Sequence, residues 1–303
     1  MITLNKTFSA DLLAGECERI ASKCICCNSD ELKSSPAILM PFIADRVFGW
    51  KPVNIDESWG LKSIKTGFAY SVCNSLYCSD CSLLFLDIRF SDGELKKLYK
   101  NYRGKEYVDL RDFYEPGYRE RNNTLALGIN YIDKIERFLQ PFLPSSPRVL
   151  DWGGGTGINT PFKRKNESFD IYEIGESALI PGAQSISIKE IVDKYYDLIV
   201  LSNVLEHVPY PMELLLDIKN TIQGKAVLYI EIPLEDIMRA QSTDLQFFKK
   251  HWHEHINFFS EQSLIRLIDL CGLKLLSMNQ LQASAGGTSS YLLQIACELN
   301  HAS

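Results

Sequence analysis

The stretch from Arg148 to Gly157 constrains the fold of this chain more than any other segment. It begins with apolar residues that favour a strand, passes through Asp151 and ends in a bend that contains four glycines. A strand that leads into a glycine-rich bend is typical of the first βαβ unit of an α/β fold, where backbone amides approach a ligand closely. We therefore predict a strand, a ligand-binding loop and the beginning of a helix at this point.

The glycine spacing argues against two common nucleotide-binding motifs. A dinucleotide fingerprint that begins at Gly153 requires Gly or Ala at its sixth position, which is Ile158 in this chain. A P-loop requires Gly-Lys-Ser/Thr, and the bend has no such tripeptide. Glu173 ends a second predicted strand over 170–173. Doubly wound folds place a ribose-binding carboxylate about 20 residues after the glycine bend, which is where Glu173 lies.

Further apolar runs predict the rest of the sheet. Helical segments separate most of them, so we predict an α/β fold with a doubly wound, mostly parallel, Rossmann-like seven-stranded sheet. A helical repeat over 122–142 precedes this sheet, and an amphipathic helix is predicted over 261–270. The additional predicted strands are 185–188, 197–201, 226–230, 273–278 and 290–297.

Length and charge limit the classes of protein to which the chain can belong. With 303 residues it is long enough for two domains, and its net charge of -6 argues against a nonspecific nucleic-acid binder. No apolar run approaches the length that spans a bilayer, and the first 13 residues lack the apolar core of a signal peptide. We therefore expect a cytoplasmic protein without a membrane span.

Seven of the nine cysteines lie before residue 82, and four of them form two Cys-x-x-Cys pairs. In a cytosolic chain this spacing favours a metal site over disulfides, and two such pairs can enclose a tetrahedral structural Zn²⁺. An iron centre is the main alternative, and Cys26 or Cys73 could replace a predicted ligand. The predicted zinc ligands are Cys24, Cys27, Cys78 and Cys81.

We predict three regions: a zinc-binding module over 1–105, a helical connection or lid over 106–145 and a ligand-binding domain over 146–303. Aromatic residues between the two cysteine pairs, among them Trp50, Trp59 and Phe68, are expected to pack in the core of the module. Tyrosines are frequent over 99–120, which suits a lid or hinge, although an ordinary connecting helix is an equal alternative.

The pattern Asp151-x-Gly153-x-Gly155-x-Gly157 resembles motif I of class I S-adenosylmethionine-dependent methyltransferases. The segment 197–209, which contains Leu-Glu-His-Val, resembles the fourth strand of that family and the residues after it. The cysteine module resembles the zinc-binding domain that precedes some bacterial methyltransferases. These resemblances cover most of the chain and imply S-adenosylmethionine and Zn²⁺ as its cofactors.

The resemblance also implies roles for individual residues. The glycines would pass beneath the methionine and ribose of the cofactor, Glu173 would accept hydrogen bonds from the ribose, and Asn203 would lie near the methionine. Ser187 and Ile188 would flank the adenine. In the Leu-Glu-His-Val segment His207 is expected to be structural or part of the cofactor wall. The implied cofactor-binding residues are Asp151, Gly153, Gly155, Gly157, Glu173, Ser187, Ile188 and Asn203.

Three of the five histidines lie between residues 251 and 260. This segment resembles the His-Glu-His motif of sugar C-methyltransferases that make branched deoxysugars. The resemblance implies that His255 is the general base, with His253 as the second choice and Glu254 as an orienting carboxylate. Trp252 occupies the place of a tyrosine in that family, so O-methylation stays open. Two further alternatives are a metal site and a simple helix start.

We therefore expect a methyltransferase for a small molecule, such as a nucleotide-linked sugar in polysaccharide or natural-product biosynthesis, acting by C- or O-methylation. One alternative is a methyltransferase for a lipid or peptide intermediate. Another is a non-catalytic module that binds zinc and the cofactor. The sequence does not indicate an oligomeric state.

Overall fold

The computed structural model describes residues 19–60, 65–175, 177–240, 251–252, 254–285 and 288–299. His253, the second choice for the base, lies outside the described residues. None of the helices in these ranges is both long enough and apolar enough to cross a membrane.

The N-terminal part begins with short antiparallel strands. The strand β1 pairs with β4 from Leu32 opposite Cys78 to Ile38 opposite Val72, β4 pairs with β5, and β2 and β3 form a separate hairpin. The turn between β4 and β5 contains Cys81. The strands are β1 (Leu32–Leu39), β2 (Val53–Ile55), β3 (Gly67–Ala69), β4 (Val72–Cys78) and β5 (Leu84–Leu86).

Five helices accompany and follow these strands. The second begins at a capping box in which Ser91 and Glu94 each accept a backbone N–H from the other. The single helix predicted over 122–142 is wrong, because the chain breaks at Gly128, whose φ is 84°, and two helices form instead. The helices are α1 (Pro41–Phe48), α2 (Asp92–Tyr99), α3 (Lys105–Tyr114), α4 (Tyr118–Leu125) and α5 (Ile132–Leu139).

The second part contains a seven-stranded sheet, which confirms the predicted fold class. Five strands are parallel, and β14 and β13 join one edge antiparallel, in the order β8-β7-β6-β9-β10-β14-β13. The strands are β6 (Val149–Trp152), β7 (Phe169–Tyr172), β8 (Ala183–Ser185), β9 (Leu198–Ser202), β10 (Ala226–Pro233), β13 (Lys274–Ala285) and β14 (Thr288–Leu299).

Both faces of this sheet are covered. In β9, Leu198 and Val200 belong to one buried cluster, whereas Ile199 and Leu201 belong to the cluster on the other face. Double burial explains the continuous apolar runs from which the sequence predicts these strands. The remaining elements are α6 (Ile188–Ile191), α7 (Pro211–Thr221), α8 (Asp236–Arg239), β11 (His251–Trp252), β12 (Asn257–Phe258), α9 (Glu261–Leu270) and the 3₁₀ turns Glu57–Trp59, Gln140–Phe142 and Lys163–Lys165.

Two local predictions are wrong. The helix expected directly after the glycine bend does not form, and residues 153–168 make turns and one 3₁₀ turn. Asn159, Thr160 and Pro161 follow the glycines, and all of these residue types disfavour a helix. The third strand of the domain ends at Ser185 rather than at Ile188, because Ser187 caps the short helix α6.

The two parts of the chain share a sheet. The strand β11 pairs parallel with β1 and β12 pairs antiparallel with β5, which gives the five-stranded order β11-β1-β4-β5-β12. Strands from the C-terminal half therefore complete the N-terminal sheet. The division at residues 105 and 145 stays a prediction, but the N-terminal module is interlocked with the rest of the chain.

Of the aromatic residues in the insert, Phe42 is buried in the core as expected, whereas three others are not. Trp50, Trp59 and Phe68 are 53%, 49% and 65% exposed, and they lie in or beside the β2–β3 hairpin. No second layer covers this two-stranded hairpin within the described residues, so its side chains stay on the surface. The expectation of core packing is wrong for these three residues.

Arg89 is fully buried and joins the two parts. Its Nη1 donates to the carbonyl oxygen of Pro209 and to Oδ1 of Asn257, both at 3.0 Å. The Nδ2 of Asn257 in turn donates to the carbonyl oxygens of Leu205 and Val208 at 2.8 and 2.7 Å. Burial lowers the pKa of Arg89 to about 10, so the guanidinium is still charged at neutral pH. It therefore fixes the 205–209 segment against the 254–258 segment.

We expect Arg89→Met to lower the free energy of unfolding by about 3 kcal/mol, because several buried acceptors lose their donor. Urea unfolding followed by circular dichroism measures this change. Arg266→Met is the matched control, since Arg266 is half-exposed and pairs with Asp269 on the surface of α9. A loss below 1 kcal/mol for Arg89→Met would contradict the structural role.

Candidate functional site

A pocket opens at the carboxyl ends of β6, β7 and β9. Gly153, Glu173 and Asn203 line it, so three of the eight predicted cofactor residues come together there. Tyr99 and Tyr102, from the end of α2 and just beyond it, line the pocket as well. His207 is also part of the wall. The tyrosine-rich segment thus contributes directly to the pocket.

Glu173 holds the glycine bend in place. Its Oε2 accepts the N–H of Gly155 at 3.0 Å, and its Oε1 accepts the N–H of Gly175 at 3.1 Å. At Gly155 φ is 57°, and a side chain there would meet no atom within 4 Å. The bend is therefore open on the side of Gly155, next to a carboxylate that can accept hydrogen bonds from a ligand.

Asp151 contacts the glycine bend but is not one of the residues that line the pocket. Its Oδ2 accepts the hydroxyl of Thr160, and burial raises the pKa of Asp151 to about 7. A Cβ on Gly154 would lie 2.5 Å from Cγ of Asp151. Gly154, which the sequence patterns did not single out, is thus required for the close approach of the bend to this carboxyl group.

We expect Gly154→Ala to lower the free energy of unfolding by about 3 kcal/mol, since the new Cβ overlaps Asp151 and the backbone must move. Gly155→Ala is the control in the same bend. It adds a side chain in open space and costs only the left-handed backbone conformation, about 1 kcal/mol. Urea unfolding of both variants measures the difference. Equal losses would mean that the contact with Asp151 is not the cause.

Gly157, Ser187 and Ile188 are not among the residues that line the pocket, whereas Asn203 is. Gly157 belongs to the bend but packs near Phe169, and Ser187 and Ile188 begin α6. The Ser187 hydroxyl donates to Glu190 in a capping box, so it serves the helix locally. Asn203 has a φ of 54°, a left-handed conformation that asparagine adopts more readily than most residues.

Beside the pocket, two imidazole rings lie edge to face with their centroids 4.8 Å apart. The Nδ1 of His207 bonds to the carbonyl oxygen of Glu254 at 2.9 Å, and the Nδ1 of His255 bonds to Oε1 of Glu235 at 3.0 Å. These oxygens accept, so each Nδ1 carries a hydrogen, and Nε2 is the nitrogen that can accept a proton when the ring is neutral. His207 is one of the pocket-lining residues, and His255 is not among them but contacts the ring of His207.

Glu254 is held by two residues of α3. Its Oε2 accepts Nη1 of Arg111 at 2.6 Å and the hydroxyl of Tyr107 at 3.1 Å. Burial alone would raise the pKa of Glu254, but the charges of Arg111, His207 and His255 outweigh burial and lower it to about 2. The carboxylate that bonds to Nδ1 of His255 is that of Glu235, and the orienting role of Glu254 stays a prediction.

The two rings differ in basicity. Burial and the charge of His255 lower the pKa of His207 to about 4. Burial would also lower the pKa of His255, but the bond to Glu235 and the charges of Glu206 and Glu254 raise it. Near neutral pH His207 is therefore neutral, and His255 is the better proton acceptor of the two.

Sequence patterns missed several residues of this region. Arg111 and Tyr107 come from α3 and reach Glu254 across about 145 residues of sequence, and the only signal was the abundance of tyrosines nearby. Glu235 precedes α8 in a segment without any motif. Glu206 belongs to the recognised Leu-Glu-His-Val segment, but nothing in that pattern shows that its carboxyl group is buried.

The four predicted zinc ligands form one cluster. The Sγ atoms of Cys24 and Cys81 are 3.5 Å apart, those of Cys27 and Cys78 are 3.6 Å apart, and all four lie within 4.8 Å of one another. These separations exceed a disulfide bond of about 2 Å. They are close to the edge of about 3.8 Å of a tetrahedron with Zn–S bonds of about 2.3 Å.

Cys26 and Cys73 lie outside this cluster. Cys26 is fully buried, and its Sγ bonds to the carbonyl oxygen of Ser263 in α9 at 3.3 Å. Cys73 belongs to β4, and burial followed by the charge of Asp87 raises its pKa to about 12. The geometry therefore favours the four predicted ligands over either alternative.

A family model described as "Methyltransferase domain" matches residues 119–278, which is just over half of the chain. No curated protein matches the chain significantly. Among solved structures, 1,6-didemethyltoxoflavin-N1-methyltransferase from Burkholderia thailandensis, with bound S-adenosylhomocysteine, is 15% identical with a TM-score of 0.45. This match covers 64% of the present chain and 90% of that chain.

A second solved structure is magnesium protoporphyrin IX methyltransferase from Synechocystis, which also contains bound S-adenosylhomocysteine. It is 14% identical with a TM-score of 0.41, and the match covers 62% of the present chain and 98% of that chain. At these identities and scores the functional assignment depends on the family match over 119–278.

Proposed function

We propose that the methyl acceptor of this chain is a small molecule such as a nucleotide-linked sugar. The premise is that the chain belongs to the methyltransferase domain family and is an S-adenosylmethionine-dependent methyltransferase. One observation carries this proposal. The pocket is lined by Gly153 of the glycine bend, by Glu173, by two tyrosines and by His207. Such a pocket can hold the cofactor and a small polar acceptor together.

The cofactor is proposed to bind along the carboxyl edge of the sheet. Glu173 would accept the ribose hydroxyls, Gly153 and Gly155 would lie against the ribose and methionine, and Asn203 would approach the methionine. Asp151 would act by supporting the bend, through its contacts with Thr160 and Gly154. Gly157, Ser187 and Ile188 remain proposed contacts that the cofactor would have to reach beyond the present pocket wall.

The reaction is proposed to use His255 as general base. S-adenosylmethionine, when bound, supplies a methyl group from its sulfonium, and the electrons of the broken C–S bond stay on the sulfur. Nε2 of His255 would take the proton from a carbon or hydroxyl of the acceptor, whose electron pair forms the new bond to the methyl carbon. Glu235 would hold the ring through Nδ1. His253 remains the second candidate, and C- and O-methylation both remain open.

We also propose that Cys24, Cys27, Cys78 and Cys81 hold one structural Zn²⁺. The separations of the four sulfurs support this proposal, and so does the donor set, since thiolates favour Zn²⁺. Burial raises the pKa of Cys78, but hydrogen bonds from the backbone of Cys81 and Asp80 oppose burial, and its net pKa is lowered. A closed site of four thiolates leaves no position for substrate, so its role would be structural.

Calorimetry with S-adenosylmethionine tests the cofactor proposal. We expect Glu173→Gln to weaken binding by about 10- to 100-fold, because hydrogen bonds from two hydroxyls to a charged acceptor become weaker. Glu167→Gln, on an exposed turn before β7, is the matched control and should bind normally. The absence of binding to the unmodified chain would reject the enzymatic proposals and favour a non-catalytic module.

A panel of acceptors separates the remaining alternatives. Release of S-adenosylhomocysteine with nucleotide-linked keto or hydroxy sugars would support the proposed substrate class, and NMR of the product would distinguish C- from O-methylation. Turnover only with lipid or peptide intermediates would favour that alternative.

A further inference from the structure

Glu206 is a buried carboxyl group for which the described residues offer no hydrogen-bond partner. It is 1% exposed, and neither Oε1 nor Oε2 accepts a hydrogen bond from any residue in the described part of the chain. Its Oε1 lies 3.8 Å from Nε2 of His207, beyond hydrogen-bond distance, and a ring nitrogen of His255 lies within 4.8 Å of the same group. Leaving a buried carboxyl without donors is costly, so an explanation beyond packing is required.

The position of this carboxyl relative to His255 is fixed by the backbone. The carbonyl oxygen of Glu206 accepts the N–H of Ile256 at 2.8 Å and the N–H of Asn257 at 3.1 Å. The residue that carries the carboxyl group is therefore held directly against the segment that carries the proposed base. Arg89 supports the same pair of segments through its contact with Asn257.

Both rings are anchored from their other side. His207 donates from Nδ1 to the carbonyl oxygen of Glu254, and His255 donates from Nδ1 to Glu235. His207 is neutral near pH 7, so its approach to Glu206 is not an ion pair. His255 is then the ring on which a positive charge can form next to Glu206.

Several charged and titratable groups surround Glu206 and His255. Burial raises the pKa of Glu206 to about 7, the charge of His255 opposes this rise, and Glu231 and Glu235 add to it. His255 faces Glu235, Glu206 and Glu254, and it is the neighbour that lowers the pKa of His207 further. Arg111 faces Glu254 and His207 from α3.

We infer that Glu206 is a positioning residue whose buried carboxylate is the counter-charge for the imidazolium that forms on His255. This inference rests on the proposed function of His255 as base. The proton leaves the acceptor and binds Nε2 of His255, which gives the ring one positive charge. Glu206 forms no covalent bond in this step. Because Glu206 is buried and the two groups are close together, its negative charge interacts strongly with the imidazolium and lowers the free energy of the charged ring.

The test follows the titration of His255 by NMR of its ring carbons and nitrogens in the full chain, from about pH 5 to pH 9. It needs no acceptor, so it is informative even if no sugar of the panel is methylated. Glu206→Gln keeps the shape of the side chain and removes its charge. Glu167→Gln, on its exposed turn, is the matched control.

We expect the midpoint of His255 to shift to lower pH in Glu206→Gln and to stay unchanged in Glu167→Gln. With an acceptor in hand, the acid limb of kcat/KM should shift to lower pH as well, because the base then loses its proton more readily. Equal His255 midpoints in Glu206→Gln and the unmodified chain would overturn the inference.

Two further measurements test the interaction between Glu206 and His255 if the Glu206→Gln variant does not fold. In His255→Asn the carboxyl carbon of Glu206 should titrate at higher pH than in the unmodified chain, since the nearby positive charge is lost; an unchanged midpoint would overturn the inference. A chelator that shifts the His207 and His255 resonances would also overturn it, because the three side chains would then hold a metal.

Discussion

His255→Asn is expected to lower methyl transfer by about 10²- to 10⁴-fold, the usual contribution of a general base, while the affinity for S-adenosylmethionine is unchanged. Asparagine can still bond to Glu235 but cannot accept the acceptor's proton at neutral pH. The measurement is the rate of S-adenosylhomocysteine release with a nucleotide-linked sugar that the unmodified chain methylates. Calorimetry on the same variant measures the affinity for the cofactor.

His207→Asn is the matched control for this prediction. His207 lines the pocket, but its lowered pKa makes it a poor base, so its loss should change kcat less than the loss of His255. Near-normal turnover of His255→Asn together with inactive His207→Asn would assign the base to His207. Near-normal turnover of both variants would reject catalysis by either ring and leave His253 as the remaining candidate.

Replacing Cys78 and Cys81 together with serine is expected to remove the zinc and to unfold the N-terminal module. The free energy of binding for a structural Zn²⁺ at neutral pH, about 10–16 kcal/mol in small zinc modules, contributes directly to folding. The loss should spread to the other part, since Cys26 contacts Ser263 and Gln262 donates to the carbonyl oxygen of Asp80. Elemental analysis and thermal unfolding measure these changes.

Two single variants test the ligand set of this site. Cys26→Ser and Cys73→Ser change buried cysteines that lie outside the cluster, so both should retain about one zinc per chain. Loss of zinc from either variant would show that the ligand set differs from the four clustered cysteines. An unmodified chain purified without any metal, and insensitive to added Zn²⁺, would contradict the zinc proposal itself.

The site depends on contacts between the two parts of the chain. The wall of the pocket combines the carboxyl ends of three sheet strands with Tyr99 and Tyr102 from the N-terminal part. Arg111 and Tyr107 hold Glu254, whose carbonyl oxygen holds His207. The N-terminal part therefore contributes to the pocket wall and also carries the four-cysteine cluster, and disturbing either part of the chain should affect both.

The sequence alone determined the central sheet, the glycine bend and the two cysteine pairs. A strand that is buried on both faces leaves an apolar run in the sequence, such as the one before Gly153. Ligands that are close along the chain leave a regular spacing, such as that of Cys24 and Cys27. The helix start at Ser91 and the helix over Glu261–Leu270 follow from capping and periodicity in the same way.

Only the tertiary structure decided which groups surround the histidines. Arg111, Glu206 and Glu235 come from three separate segments, and no local pattern encodes their distance to His255 or His207. The same holds for the strands β11 and β12, which cross back to complete the N-terminal sheet. Burial and the pKa of a carboxyl group depend on neighbours far away in sequence, because desolvation and charge act through space rather than along the chain.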